Sequence, residues 1–286
     1  MRRAEWLFFR FIRELSALHQ LLYLYMKFTI YQVDAFAENV FEGNPAAVCP
    51  LNEWIEDELL LKIASENNLS DTAFYVVKDE RIEIRWFTPN TEVNLCGHAT
   101  LATAYVLVNQ ENFKGDLIPF YSVRSGNLPV FVNEDTFTLD FPIDVIEEIT
   151  LSDELINTTN IKPNLAFKGK SDFMLVFDNQ ADIENLKPKL SLIEKLDARG
   201  LIVTAKGKDC DFVSRFFAPQ CGINEDPVTG SAHTTLTNYW ANTLNKDELI
   251  AEQISSRKGT LKCKKVGERI EITGKAVLFM KGEIYI

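Results

Sequence analysis

The sequence predicts an α+β protein made of two similar halves, each a set of strands folded around one central helix, and three observations predict it. First, a pattern is written twice. Arg85-Trp86-Phe87-Thr88-Pro89 followed by Cys96-Gly97-His98-Ala99-Thr100-Leu101 returns as Arg215-Phe216-Phe217-Ala218-Pro219 followed by Thr229-Gly230-Ser231-Ala232-His233. Second, a hairpin signal Arg124-Ser125-Gly126-Asn127-Leu128 returns as Arg257-Lys258-Gly259-Thr260-Leu261, with 29 residues from Gly97 to Gly126 and 29 from Gly230 to Gly259. Two generic strand–turn–helix units alike by composition alone would match in residues but rarely in spacing. Third, His98 to Val108 is apolar nearly all round, which a helix tolerates only when protein surrounds it on every side.

The elements follow in chain order. Residues 1–25 carry Arg2 and Arg3 ahead of apolar residues, but Arg10, Arg13 and Glu14 interrupt the run and no small-residue cleavage site follows. They are expected to form an extension without chemistry, neither signal peptide nor membrane span, with Met26 as the real or ancestral start. A strand pattern begins at Lys27 and runs to Val33. Asn52 to Asn67 reads as a helix capped by Asn52, with Trp54, Ile55, Leu59, Ile63 and Ala64 as its buried stripe. Ile82 to Phe87 and Asp211 to Phe217, rich in β-branched and aromatic residues, are strands that stop at Pro89 and Pro219, where a ladder donor would be missing. The helix from Ser231 to Leu244 keeps Ala232, Leu236, Tyr239, Trp240 and Leu244 near helical spacing but is wetter on its other face, so it is expected to be less enclosed than its partner. The link between halves falls after Pro142, in the acidic stretch from Ile143 to Glu154. The halves are therefore drawn as residues 26–143 and 144–286, with the terminal strands free to cross between them.

Composition narrows the function. With 46% hydrophobic and 25% charged residues among 286, the chain is ordinary globular protein. A net charge of −11 repels phosphate backbones, so nucleic acid is not an expected partner. Five cysteines, widely spaced and without a CxxC pair, and only three histidines support neither a disulfide framework nor a zinc site, and a reducing, cytoplasmic setting is expected. There is no GxGxxG after a strand, no GxxxxGK[ST], no GxSxG and no HExxH. No cofactor and no metal are expected, which leaves general acid–base catalysis by side chains and backbone dipoles.

The two glycine turns suggest where that chemistry sits. Helices starting at Gly97 and Gly230 would present unpaired N–H groups and partial positive charge, a ready site for a carboxylate or an enolate oxygen without any basic side chain. Around them stand Asp71, His98, Asp226 and Ser231, each with a plain alternative. Asp71 could be a turn residue between helix and strand. His98 could be a cap or a core histidine as readily as a proton shuttle. Asp226 before Pro227 is a stock helix start. Ser231 would hydrogen-bond something in either case, and His233, two residues further on, is expected to point elsewhere.

Four strings then carry a resemblance: Gln32-Val33-Asp34-Ala35-Phe36, Phe41-Glu42-Gly43-Asn44-Pro45-Ala46-Ala47-Val48, Gly97-His98-Ala99-Thr100-Leu101 and Glu225-Asp226-Pro227-Val228-Thr229-Gly230-Ser231-Ala232. From about Met26 to Ile286 the chain resembles the PhzF-like family of phenazine-biosynthesis isomerases. The resemblance implies the diaminopimelate epimerase-like fold, two pseudo-symmetric halves with curved, mostly antiparallel sheets around central helices, and an active site in the cleft between them. It also implies a cofactor-independent reaction on a small carboxylic acid and a homodimer. In the phenazine-pathway member of that family the reaction is proton transfer on a dihydro-hydroxyanthranilate, and the resemblance implies that the proton-shuttling acid after the Leu-Ser pair falls on Asp71, with His98, Asp226 and Ser231 at the other matched positions.

Two departures qualify that inheritance. The family usually has Glu where Asp71 stands; one methylene withdraws the carboxylate by somewhat more than about 1 Å, and misplacement of that order costs about a hundredfold in rate, which favours a different or bulkier substrate. In the related epimerases paired cysteines precede the two helix glycines, whereas this chain has Cys96 and Thr229. Threonine has no usable pKa near neutrality, so a symmetric two-thiol racemase is not expected. The expected assignment gives Asp71, His98, Asp226 and Ser231 catalytic parts and places Gly97, Gly230, Cys96 and Thr229 against the substrate. Cys96 is otherwise expected to fill a small apolar slot. The rival readings are a Cys96-dependent epimerase or dehydratase of amino or imino acids, and a non-catalytic binding scaffold of the same fold.

Overall fold

The computed structural model describes residues 26–286, and the expectations for residues 1–25 lie outside the described residues. In the first half β1 (Lys27–Ala35) runs antiparallel to β2 (Asn44–Leu51), and α1 (Asp57–Asn67) crosses to β3 (Asp71–Val77), which lies parallel to β2 and antiparallel to β4 (Ile82–Phe87). The short β5 (Glu92–Val93) leads into α2 (Gly97–Asn109), and a meander of β6 (Leu117–Ser122), β7 (Gly126–Asn133) and β8 (Thr136–Pro142) follows, with β6 parallel to β4.

The second half repeats the plan. After β9 (Glu147–Ile149) and α3 (Asp153–Ile156), β10 (Leu165–Lys168) pairs antiparallel with β11 (Asp172–Val176). The crossover carries α4 (Gln180–Asn185) and α5 (Leu190–Ile193) to β12 (Gly200–Lys206), parallel to β11 and antiparallel to β13 (Phe212–Ala218). Then come β14 (Ile223–Asp226), α6 (Gly230–Leu244), β15 (Glu248–Gln253) parallel to β13, β16 (Gly259–Val266) and β17 (Arg269–Gly274). The last strand, β18 (Ala276–Tyr285), pairs with β1 as β9 pairs with β10. One further pairing, β8 against β17, joins the two sheets edge to edge.

The repeat is close enough in register to equate residues. Phe87 faces Thr72 across β3–β4, and Phe217 faces Leu201 across β12–β13. Arg85 forks onto Glu92 at 2.7 and 2.9 Å and lies 5.1 Å from the Phe87 ring centre; Arg215 forks onto Glu225 at 2.7 and 2.9 Å and lies 5.0 Å from Phe217. From these fixed points Asp71 corresponds to Gly200, Ser70 to Arg199, Val93 to Asp226 and Cys96 to Thr229. Both carboxylates singled out in the sequence therefore lack a counterpart. The scaffold is symmetric and its acid groups are not.

Two expectations are corrected. The first helix starts at Asp57, five residues after Asn52, because Trp54 is held in the preceding loop by its indole N–H, which donates to Glu83 Oε2 at 2.8 Å. Asp57 and Glu58 then meet the positive end of the helix dipole. The second correction concerns α6, which is buried along most of its length, as α2 is. Much of its polar face is threonine and asparagine with partners inside: Thr234 Oγ1 donates to Ser231 O, Thr235 Oγ1 to Asp144 and Asn238 Nδ2 to Asp144 O, while the buried Thr237 hydroxyl has none among the described residues. Burying a hydroxyl or amide is tolerable once it is hydrogen-bonded. α2 and α6 supply one continuous apolar core with the concave faces of both sheets, while α1 and the α4–α5 segment each cover a smaller cluster on the outer faces.

Candidate active site

The two central helices point their N-termini at each other. A Cβ built on Gly230 would lie 4.0 Å from Gly97 Cα, so at this point the backbones of the two halves come within side-chain reach. Cys96 and Thr229, the residues before the two helices, are extended, and neither they nor any first-turn acid caps the helix ends. By contrast, the short α3 and α4 are capped by the side chains of Ser152 and Asn179. Leaving first-turn N–H groups uncapped forgoes about 1 kcal/mol per helix and keeps those donors, with the dipole charge, for another acceptor.

Beside this junction the structure collects Asp71, Cys96, His98, Asp226 and Thr229. Asp71 opens β3, straight after Ser70, and its Oδ2 lies 3.7 Å from His98 Nε2. His98 sits in the first turn of α2, with Nδ1 3.4 Å from Asn44 Nδ2 and 3.5 Å from Cys96 Sγ, and Nε2 3.3 Å from Ser70 Oγ. Asp226 ends β14 in the other half. Its carboxylate accepts from Asn44 Nδ2 at 2.8 Å and from Thr229 Oγ1, while its carbonyl accepts from Gln253 Nε2 at 2.7 Å. Asn44, wholly buried, also donates to Val228 O at 2.9 Å and so ties the halves together at the site.

Burial sets the protonation states. Asp71 is 8% exposed, and loss of solvent pushes its carboxyl up to about 7; a hydrogen bond from Cys96 pulls it down and the charge of Asp226 pushes it further up. Asp226 rises to about 6 by the same loss of solvent, restrained by the bonds from Thr229 and Asn44 and by the charge of Arg199. His98 is driven down to about 4 by burial and is neutral at pH 7. The Cys96 thiol is driven well above its ordinary range by burial and by the neighbouring Asp71. It is a protonated donor to Asp71: Cys96 belongs to the apolar core, as expected, but its sulfur also faces a histidine and a carboxyl. A buried carboxyl poised near neutrality can take up and release a proton at working pH, which an ordinary aspartate does poorly.

Ser231 stands apart from that group. It is exposed at the rim, and its Oγ accepts from Arg199 Nη1 at 2.9 Å. The sequence reading expected no basic side chain at the junction; Arg199 supplies one, because a guanidinium held by the buried Asp172 emerges there. Sequence reasoning also gave no part to Asn44, Ser70, Gln253 or His233. His233 points away from the catalytic group, as expected, with its ring 6.0 Å from that of Phe212 in the apolar core. It is buried beside Thr229, whose carbonyl its Nδ1 meets at 2.8 Å, as Thr100 Oγ1 meets the carbonyl of Cys96 at 2.7 Å in the other half. Asn44 left a signal, a buried-strand start between Gly43 and Pro45, but nothing local tells that its amide crosses to Asp226.

Comparison with known proteins agrees with this architecture. The model of the family described as "Phenazine biosynthesis-like protein" matches residues 33–282. A Pseudomonas aeruginosa protein named as an uncharacterized isomerase is 48% identical over 261 residues, covering 91% of this chain and all of that one. A crystal structure of a phenazine biosynthesis protein of the PhzF family from Enterococcus faecalis has a TM-score of 0.89 and 45% identity, covering 91% of this chain and 100% of that chain. A hydroxyproline epimerase from Agrobacterium vitis shares the fold alone, with a TM-score of 0.59 and 9% identity over 90% of this chain and 92% of that one. The α+β, epimerase-like fold expected from the sequence is the fold of this chain. Among the described residues no helix is long and apolar enough to cross a membrane.

Proposed function

The chain belongs to the phenazine biosynthesis-like protein family, and from that premise we propose that it is a cofactor-independent isomerase that moves a proton on a small carboxylic acid. The observation that carries this reading is Asp71, a buried carboxyl held near pH 7 beside two uncapped helix ends that face each other. Asp71 takes a proton from the substrate carbon and returns it at another. Charge that builds on the substrate during the transfer is met by the first-turn N–H groups of α2 and α6, aimed in advance and costing no reorganisation. His98, neutral, hydrogen-bonds to a substrate oxygen or relays a proton, and Asp226, fixed by Asn44 and Thr229, orients the group opposite. The site residues belong to both halves, so turnover requires both halves; a homodimer is part of the proposal.

A thiol-based epimerase is disfavoured by the same geometry, since burial keeps Cys96 protonated and Thr229 stands where a second thiol would be needed. The test is incubation in D2O with a panel of small cyclic and acyclic carboxylic acids, reading C–H exchange by NMR for the wild type and for Asp71→Asn. Exchange in the wild type and none in the folded variant is expected. Equal exchange in both removes Asp71 from the mechanism, and no exchange with any acid leaves a binding scaffold.

A further inference from the structure

The repeat in the fold singles out one residue that neither the sequence motifs nor the catalytic group absorbed. Arg199 occupies in the second half the place of Ser70 in the first, one residue before Gly200, the counterpart of Asp71. Where one half presents a carboxyl to the junction, the other presents a guanidinium. Its position is built rather than incidental. Nε donates to Asp172 Oδ1 at 3.0 Å and Nη2 to Asp172 Oδ2, with the Asp172 side chain only 4% exposed, and the guanidinium carbon lies 5.2 Å from the ring centre of Phe216.

This fork fixes the guanidinium plane and occupies two of its five N–H groups; a third goes to Ser231 Oγ. Two N–H groups remain, on a side chain that is 39% exposed, at the rim where α6 begins. Ser231, by accepting from Arg199, has its own hydroxyl proton free to donate. Arg199 and Ser231 thus offer a pair of donors, one of them charged, to a single planar acceptor. A surface carrying −11 would otherwise repel a small anion.

We infer that Arg199, with Ser231, anchors the carboxylate of the substrate, leaving the helix-end amides for the oxygen on which charge builds during proton transfer. The inference rests on the function proposed above and deepens it: it makes this side chain the selector for acids over their neutral amides. Arginine suits the part because its planar fork matches a carboxylate and its charge is permanent.

The experiment uses benzoate and benzamide as a charged and a neutral probe of similar shape, with dissociation constants measured by calorimetry or ligand-observed NMR at low salt. Wild type is expected to bind benzoate roughly 10- to 100-fold more tightly than benzamide, the span of one charge-assisted hydrogen-bonded contact. Arg199→Gln removes the preference by weakening benzoate far more than benzamide. Because that variant strands a buried Asp172, the double variant Arg199→Gln/Asp172→Asn is measured beside it, and Arg199→Lys, which keeps the charge but not the fork, retains part of the preference. The inference is overturned if benzoate binds the wild type no better than benzamide, or if the preference survives in either glutamine variant. Asp71→Asn separates the two proposals: it is expected to lose C–H exchange and keep the benzoate preference. Exchange that depends on Asp71 with a preference that ignores Arg199 sinks the anchor alone. A preference that depends on Arg199 without exchange in the wild type sinks the catalytic reading alone.

Discussion

Replacing Asp71 by asparagine should make the protein more stable, and increasingly so as pH rises. An ordinary aspartate carboxyl titrates at 3.8, and in the folded chain burial holds Asp71 at about 7. The folded state therefore grips the proton more tightly than the unfolded chain does. Below pH about 3 both states are protonated and the site costs nothing. Between about 4 and 7 the unfolded chain ionises first, and stability is lost as pH rises; above 7 the loss is complete. At about 1.36 kcal/mol per pH unit the full loss is about 4 kcal/mol, an upper figure because solvent reaches the pocket when the protein breathes. The asparagine side chain keeps the shape and carries no charge, so the gain from Asp71→Asn grows from near zero at pH about 3, through about 1 kcal/mol at pH about 4.5, to as much as about 4 kcal/mol at pH about 8. In a chain of this size that corresponds to roughly 10 °C in Tm. Thermal scans and urea titrations of both proteins across that pH range read it directly. A constant difference throughout, or a variant that loses stability as pH rises, would refute the burial argument.

Gly230→Ala should fold normally, since the new Cβ meets only ordinary contacts at 3.9 to 4.0 Å, yet the methyl stands between the two helix ends and should abolish substrate binding; an unchanged KM contradicts this. Asn44→Ala should cost about 2–4 kcal/mol in urea unfolding by stranding Asp226 Oδ1 and Val228 O, and should move the lower pH limb of activity upward because Asp226 loses a donor to its ionised form. Iodoacetamide at neutral pH should label the exposed Cys221 well before the buried Cys96, Cys49 and Cys263, as read by peptide mass spectrometry; fast labelling of Cys96 would revive the thiol-based reading.

The parts of this molecule that are legible in its sequence are those governed by local chemistry or by repetition. Strand β4 ends where Pro89 approaches, α2 is apolar on every face because a sheet surrounds it, and two motifs at matched spacing announce two halves. What escapes depends on contacts across the repeat. The amide of Asn44 reaches Asp226 from 182 residues away, and Arg199 is a loop arginine like any other until the registers of β3–β4 and β12–β13 are overlaid. The wetter face of α6 misleads for a similar reason: a threonine looks solvated in sequence, and only the fold shows the backbone or Asp144 partner that lets it be buried. The start of α1 is hard to place because Asn52 is a good cap residue, while Trp54 is claimed by Glu83 on another strand.

Proton transfer at this site requires that one carboxyl keep its proton near neutral pH beside the facing helix ends. A ¹³C NMR titration of the aspartate side-chain carboxyls, with the Asp71 signal identified by its disappearance in Asp71→Asn, measures this. A midpoint at pH about 7 is the predicted result; a midpoint near the ordinary aspartate value of about 4 would contradict the account at its root.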